Sequence, residues 1–132
     1  MSKDKVKKPV ILQVLPELNQ GGVELGTIQI AEHLTNEGIT NYVASLGGRM
    51  EHQLERLKVK HFKLPLKSKN PITILRNANK LAQIIKQEGI NIVHARSRAP
   101  AWSAYLAAKM AKVHYVTTFH GTYGLGPCGI KK

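Results

Sequence analysis

Short apolar runs alternate with helical stretches along this sequence, and this alternation constrains the fold more than any other feature. Five runs rich in apolar and β-branched residues predict strands: Pro9–Leu15, Tyr42–Leu46, His61–Leu64, Ile90–Ala95 and Tyr115–Phe119. Four stretches predict helices between them: Val23–Glu37, Glu51–Leu57, the segment between Asn70 and Gly89, and Pro100–Ala111. Strands separated by helices imply parallel pairing through right-handed crossovers. The simplest assembly is an α/β fold, a doubly wound parallel sheet of order 3-2-1-4-5 with helices on both faces.

The ends of the third predicted helix carry the clearest local signals. Asn70 can cap the free amides of a helix start, and Pro71 suits the first turn, where no intrahelical partner is needed. Gly89 is a residue that commonly ends a helix. These residues predict a helix that begins just after Asn70 and stops at Gly89.

The length of 132 residues suits one domain with a core of its own. We expect a basic tail at residues 1–8, one Rossmann-like domain at residues 9–125 and a short tail at residues 126–132. The apolar run after Pro9 is too short for a signal peptide, so the default expectation is a cytoplasmic location. Cys128 is the only cysteine, which excludes an internal disulfide and a multi-cysteine metal site.

The charge balance is unusual, with 20 Lys and Arg against 8 Asp and Glu and a formal net charge of +12. Such a balance favours an anionic partner, which could be a nucleic acid, a phosphate-bearing ligand or an acidic membrane surface. A merely solubilising basic surface explains it equally well. Nucleic acid is disfavoured, because aromatic residues make up only 5% and do not interleave with the basic residues as stacking platforms would.

The predicted topology locates the candidate site. In an open α/β sheet, ligands bind beyond the carboxyl ends of the strands, where the strand order reverses. Here that point lies between the first and fourth strands. Three segments should meet there: Gly21–Glu24, His94–Arg98 and Phe119–Tyr123.

Gly21 and Gly22 allow a tight turn into the first helix, whose amino end favours a phosphate or another anion. A simple loop-to-helix turn is the alternative. With Gly26 the spacing is G-G-x-x-x-G, which is not the dinucleotide fingerprint G-x-G-x-x-G, and no acidic residue ends the second strand. A nicotinamide enzyme is therefore disfavoured, although Arg49 leaves an NADP-dependent reductase as a weak alternative.

The histidines divide by position along the predicted elements. Four of them, His33, His52, His61 and His114, fall where a surface or structural role is expected. His94 and His120 lie at carboxyl ends of central strands, where an imidazole can orient a hydroxyl, contact a phosphate or transfer a proton. A satisfied core histidine is an equal alternative for His94, whereas function is favoured for His120.

Arg96 and Arg98 flank Ser97 at the same rim of the sheet. Their guanidinium groups suit bidentate binding of a phosphate or a carboxylate. An Arg-x-Arg pattern in a loop is a weak signal when taken alone.

Together these segments resemble the N-terminal domain of glycosyltransferase family 4, retaining enzymes of GT-B fold. The resemblance rests on three motifs, Gly-Gly-Val-Glu at 21–24, Val-His-Ala-Arg-Ser-Arg-Ala-Pro-Ala-Trp at 93–102, and Thr-Phe-His-Gly-Thr-Tyr at 118–123. It spans residues 9–125. It implies transfer of a sugar from a nucleotide-sugar donor to a lipid-linked glycan or lipopolysaccharide-type acceptor, with no metal and no other cofactor.

The resemblance also implies roles for single residues. His120 would face the transferred sugar as the catalytic residue, and Gly21 and Gly22 would abut the donor phosphate or the acceptor. The loop with His94, Arg96 and Arg98 would form part of the acceptor cleft. The matched motifs also make Glu24, Gly121 and Thr122 candidate substrate-binding residues. A basic surface would suit peripheral docking on the inner face of an anionic membrane.

The sequence departs from the family pattern in two respects. It lacks the second Rossmann domain, which supplies most nucleotide-sugar contacts and a paired-glutamate motif. Leu25 also stands where relatives would have a basic residue. We therefore expect no turnover by this chain alone, with the partner domain either lost or separately encoded, and self-association through exposed cleft walls. The competing hypothesis is a basic nucleic-acid- or anionic-membrane-binding module without catalysis.

Overall fold

All nine predicted elements are present in the computed structural model, which describes residues 9–18, 22–66, 68, 70–96 and 98–117. The strands are β1 Ile11–Val14, β2 Asn41–Ser45, β3 Lys60–Lys63, β4 Ile92–Ala95 and β5 His114–Thr117. The helices are α1 Gly22–Asn36, α2 Glu51–Arg56, α3 Pro71–Glu88 and α4 Arg98–Ala111.

The five strands form one parallel sheet of order β3-β2-β1-β4-β5, which confirms the predicted order. β1 is the central strand: Ile11 pairs with Asn41 of β2 on one side and with Ile92 of β4 on the other. The strand order reverses between β1 and β4, since β2 and β3 extend to one side and β4 and β5 to the other. The carboxyl ends of β1 and β4 therefore lie side by side.

Helices cover both faces of the sheet, as predicted. On one face α3 and α4 pack side by side and enclose the larger apolar cluster, which includes Leu12, Leu81, Ile85, Val93 and Ala104. Small buried residues on α4 permit this close packing, and the Ser103 hydroxyl donates a hydrogen bond of 3.0 Å to the Ile74 carbonyl of α3. The alanine-rich pattern of α4 is thus explained by helix-to-helix contact.

The opposite face of β1 and β2 is covered by α1 and α2. Its smaller cluster contains eight buried residues: Leu15, Leu18, Ile28, Ala31, Val43, Met50, Leu54 and Val59. Because successive residues of a strand point to opposite faces, Leu12 and Val14 face α3 and α4, whereas Gln13 faces α1.

The predicted boundaries of α3 are confirmed. The Asn70 side chain accepts hydrogen bonds from the amides of Ile72 and Thr73, at 2.9 and 3.4 Å, and Pro71 occupies the first turn. At the other end Gly89 adopts a left-handed conformation, with φ of 70°, which glycine reaches without the steric cost that a Cβ would bring.

Most other boundaries differ from the predicted ones by one or two residues, and two of these shifts, at the starts of α4 and β5, have a clear cause. α4 begins at Arg98 rather than Pro100, because a proline is tolerated in the first turn, where amides have no intrahelical partner. Arg98 is therefore a helix residue and not part of a loop. β5 begins at His114 rather than Tyr115, since the His114 amide continues the ladder with a 3.1 Å hydrogen bond to the Asn91 carbonyl. Thr118 and Phe119 lie outside the described residues.

Candidate functional site

The candidate site lies at the carboxyl edge of the sheet, where β1 and β4 end together. The last residues of the two strands, Val14 and Ala95, are paired in register. The ladder extends one residue further, because the Arg96 amide donates a 2.9 Å hydrogen bond to the Val14 carbonyl. This bond fixes the backbone of Arg96 at the point of strand reversal.

Arg96 is the most unusual residue at this edge, since its side chain is charged and only 4% exposed. Its guanidinium packs against α1 at Gly26, and the Nη2 atom lies 2.9 Å from the position that a Cβ of residue 26 would occupy. A Cβ at residue 26 would require the guanidinium to shift. Burial lowers the Arg96 pKa from its ordinary value, but an arginine remains cationic at physiological pH. The edge therefore holds a buried positive charge.

Two further polar residues lie on the same face of the sheet, below α1. His94 of β4 is half-buried and pairs in register with Gln13 of β1. Gln13 is fully buried; its Nε2 donates a 3.2 Å hydrogen bond to the Thr27 carbonyl, and its Oε1 has no hydrogen-bond partner among the described residues. A polar strip of Gln13, His94 and Arg96 thus crosses from the central strands to the rim.

Gln13 was not predicted as a site residue. A signal is present in the sequence, because this glutamine interrupts an otherwise apolar strand. A buried amide in a central strand requires a polar neighbour, and Thr27 of α1 supplies it.

The structure describes the remaining predicted site residues only in part. Gly22 is the first residue of α1, and Glu24 lies half-buried in its first turn, where a carboxylate is stabilised by the helix dipole. Arg98 is the first residue of α4, with no side-chain placement described. The other four, Gly21, His120, Gly121 and Thr122, lie outside the described residues, so their predicted roles stay predictions.

A second polar cluster joins Ser45, the last residue of β2, to His61 of the neighbouring strand β3 and to Glu51 of α2. The Ser45 hydroxyl lies 2.6 Å from His61 Nε2, and Glu51 Oε1 lies 3.8 Å from His61 Nδ1. The arrangement resembles a hydrolase triad, but Ser45 is completely buried and its hydroxyl accepts a hydrogen bond from the Gly47 amide. The cluster therefore supports the Gly47–Gly48 turn and offers no reachable nucleophile.

The pKa of His61 is lowered, chiefly because burial penalises the imidazolium; nearby Lys63 acts in the same direction and Glu51 opposes both. His61 is thus neutral near physiological pH. This environment agrees with the structural role expected for His61.

Within the described ranges, no group of three or more His, Cys, Asp or Glu side chains is arranged to hold a metal ion. None of the helices in the described part of the chain is long and apolar enough to cross a bilayer.

This combination, a parallel 3-2-1-4-5 sheet with polar residues at the point of strand reversal, defines a Rossmann-like domain of the kind that forms one half of a GT-B enzyme. The profile of Glycosyltransferase Family 4 matches residues 20–131. The chain belongs to this family. No match was found among curated proteins.

Solved structures agree with the family assignment. A glycosyltransferase from Rickettsia africae is 47% identical, with a TM-score of 0.81 over 89% of this chain and 31% of that one. MurG from Acinetobacter baumannii shares the fold at 14% identity, with a TM-score of 0.68 over 94% of this chain and 40% of MurG. The lipopolysaccharide outer core galactosyltransferase WaaB also shares it, at 14% identity and a TM-score of 0.64, over 82% of this chain and 32% of WaaB. This chain spans about a third of the length of such proteins.

Proposed function

We propose that this chain is the acceptor-side domain of a retaining glycosyltransferase that uses a nucleotide-sugar donor. The observation that carries the proposal is the buried cation of Arg96 at the point of strand reversal, held against Gly26. A guanidinium group at this edge suits bidentate binding of a phosphate or a carboxylate of a ligand. In a member of glycosyltransferase family 4, substrates of this reaction class supply such groups.

Within this proposal, two residues of the polar strip contact the substrates. Arg96 binds an anionic group of the donor or acceptor, and His94 orients a sugar hydroxyl beside it. Glu24 adds a negative charge at the amino end of α1, so this end of the helix suits sugar hydroxyls better than a second phosphate. His120 is proposed to face the transferred sugar, with Gly21, Gly22, Arg98, Gly121 and Thr122 completing the contacts.

The acceptor we propose is a lipid-linked glycan or a lipopolysaccharide-type saccharide. WaaB, which shares the fold, is described as a lipopolysaccharide outer core galactosyltransferase, and this supports the acceptor class without defining the sugar. Because the chain spans only 31% of the Rickettsia africae enzyme, the remainder of such a protein would supply the other contacts to the donor. We expect neither a metal nor a further cofactor, and no turnover by the chain alone.

A chimera tests this function. Residues 9–117 of this chain would replace the matched part of the Rickettsia africae glycosyltransferase, and release of nucleotide from a panel of nucleotide sugars would be measured. We expect the chimera to turn over the donor that the parent enzyme uses. A folded chimera without turnover, beside an active parent, would contradict the proposal.

Two arginine variants of the chimera test the residue that carries the proposal. Arg96→Met removes the buried cation, and a lost charged hydrogen bond of about 1.5–3 kcal/mol should lower kcat/KM roughly 10- to 100-fold. Arg76→Met, at an exposed position of α3, is the matched control and should leave kcat/KM unchanged. Equal effects of the two substitutions would refute a role for Arg96 in binding.

One observation favours a second function, that of a module for anionic surfaces. From Arg56 to Lys132 the sequence has a single acidic residue, Glu88, and Lys60 lies 3.7 Å from its carboxylate. Salt-sensitive binding of the chain to acidic liposomes or RNA, together with an inactive chimera, would favour this alternative.

A further inference from the structure

The turn that follows β2 lies beside the loop that follows β1. The two strands are parallel neighbours, so their carboxyl ends meet at the edge that carries the candidate site. Three backbone hydrogen bonds join the segments beyond the strands: the Leu46 amide donates to the Pro16 carbonyl at 2.9 Å, the Leu18 amide to the Gly47 carbonyl at 3.0 Å, and the Met50 amide to the Leu18 carbonyl at 2.8 Å. Leu18 is also completely buried. The loop after β1 is thus fixed to the turn after β2.

Polar side chains hold two consecutive amides of this turn. The Gly47 amide donates a 2.9 Å hydrogen bond to the Ser45 hydroxyl, and the Gly48 amide donates a 2.8 Å one to Glu51 Oε2. An amide can only donate here, so the Ser45 hydroxyl accepts from it and keeps its own proton for His61 Nε2, 2.6 Å away. The second polar cluster, Ser45, His61 and Glu51, therefore sets the conformation of the turn.

Gly47 shows how closely this cluster fits the turn. Its φ is 101°, a conformation that residues with a Cβ rarely adopt. A Cβ at this position would also force the Glu51 carboxylate and the Lys63 side chain to shift. Because the turn leaves no room on the side of Glu51, a displacement of either one is transmitted to the other.

The same anchoring reaches the amino end of α1. Leu18 lies four residues before Gly22, the first residue of α1, and four residues span at most about 14 Å. α1 itself is held to β1 by the hydrogen bond from Gln13 to the Thr27 carbonyl. The chain that enters α1 therefore starts from a point that the turn after β2 fixes.

We propose that the second polar cluster positions the candidate site without touching a substrate. The cluster holds the turn after β2, the turn holds Leu18, and Leu18 sets where the chain enters α1 at Gly22. Ser45, His61 and Glu51 are thus positioning residues. This inference rests on the proposed function, in which Gly22 contacts a substrate.

Steady-state kinetics of the chimera with the Rickettsia africae enzyme test the proposal. Glu51→Ala removes the acceptor of the Gly48 amide, so the turn should shift and KM for one of the two substrates should rise at least about tenfold, with kcat changed less than about twofold. Loss of stability alone would instead reduce the active fraction, which lowers kcat and leaves KM unchanged. Glu55→Ala, at an exposed position of the same helix, is the matched control and should change neither constant. An unchanged KM in Glu51→Ala would overturn the proposal.

A conservative substitution separates the hydrogen bond from the charge. Glu51→Gln keeps an oxygen that can accept from the Gly48 amide, so KM should return to within about threefold of the unsubstituted chimera. A Glu51→Gln chimera as impaired as Glu51→Ala would assign the effect to the charge and contradict positioning through the turn amides.

A pair of serine variants tests the other acceptor of the cluster. Ser45→Ala removes the acceptor of the Gly47 amide and should raise KM in the same way as Glu51→Ala. Ser103→Ala is the matched control, because it removes a buried hydroxyl on the opposite face of the sheet, where it bonds the Ile74 carbonyl, and it should lower only stability. Equal KM values for the two serine variants would refute the role of Ser45.

Amide hydrogen exchange of the full chain gives a readout that does not depend on turnover. The Leu18 amide, which donates to the Gly47 carbonyl, should exchange at least about tenfold faster in Glu51→Ala than in the wild type. The amide of Leu81, within α3, should keep its rate and so exclude global unfolding. Unchanged exchange at Leu18 would overturn the positioning proposal. An inactive unsubstituted chimera would instead contradict the proposed function, and the exchange of Leu18 would then decide whether the cluster positions the loop.

Discussion

Single residues decide the chemistry at the candidate site, and the contact between Gly26 and Arg96 shows how. Gly26 lies within α1, where alanine is ordinarily preferred over glycine by about 1 kcal/mol per residue. The Arg96 Nη2 atom lies 2.9 Å from the position that a Cβ would occupy, so an alanine there would displace the guanidinium. We expect this displacement to offset the helix preference for alanine.

A double-mutant cycle tests this explanation. In an Arg96→Ala background, Gly26→Ala should stabilise the domain by about 0.5–1 kcal/mol, the normal helix preference. With Arg96 present the gain should vanish, because the guanidinium must move. Urea unfolding of the four proteins measures the coupling, which we expect to be at least about 0.5 kcal/mol. Additive effects would show that the close approach has no energetic consequence.

Stability should also depend on the protonation of His61. Its pKa is lower in the folded chain than the ordinary 6.5, chiefly because of burial. Above pH 6.5 both folded and unfolded forms are neutral, so the full stability is present. As the pH falls below 6.5 towards the lowered pKa, the unfolded chain binds the proton first and stability is lost.

The free energy of unfolding, measured in urea between pH 7.5 and pH 5, should therefore fall more steeply for the wild-type chain than for His61→Gln. The matched control is His52→Gln at an exposed position of α2, which should keep the wild-type slope. Identical slopes for His61→Gln and the wild type would contradict the assignment.

Among the elements, α3 shows how local sequence sets structure. Its amphipathic period buries Leu81, Ala82 and Ile85 in the apolar cluster shared with the sheet, and its capping residues fix both ends. The period and the caps act over only a few residues, and for this reason they could be predicted. The predicted start of α4 was two residues too late. Pro100 suits a helix start, but it lies in the first turn of a helix that begins at Arg98.

The cap of α3 is directly testable. Asn70→Ala removes the acceptor of two amide hydrogen bonds and should destabilise the domain by about 1 kcal/mol in urea unfolding. Asn79→Ala, at an exposed position in the middle of the same helix, should instead be neutral or slightly stabilising, because alanine is the better helix former. A cap substitution without effect would mean that α3 is held by packing alone.

For the whole molecule, strand order and family were open to prediction from the sequence, but the internal geometry of the site was not. The motifs around Gly21, His94 and His120 indicated the family, and topology indicated the edge at which they would meet. The approach of Arg96 to Gly26 joins residues far apart in the chain, and no local sequence pattern indicates it. The same holds for the Gln13 bond to Thr27, since tertiary packing alone brings the two together.

The excess of positive charge should be visible in the stability of the whole chain. With a net charge of +12, self-repulsion opposes the compact state, and salt screens it. We expect the Tm to rise by a few degrees, or about 1 kcal/mol, between about 0.02 and 0.5 M NaCl in a circular dichroism melt. A Tm that falls with salt would mean that attractive ion pairs, such as Lys63 with Glu51 at 3.8 Å, outweigh the repulsion.

The central position of β1 also has a consequence for biosynthesis. Among the described strands β1 is translated before the others; its neighbour β2 soon follows, whereas its other neighbour β4 emerges only after α1, α2 and α3 have been made. Until Ala95 has left the ribosome, one side of β1 stays unpaired, and Leu12 and Val14 lack the cover of α4. Nascent chains that expose such a strand are prone to aggregate. We therefore expect an interval during translation in which β1 is exposed to aggregation.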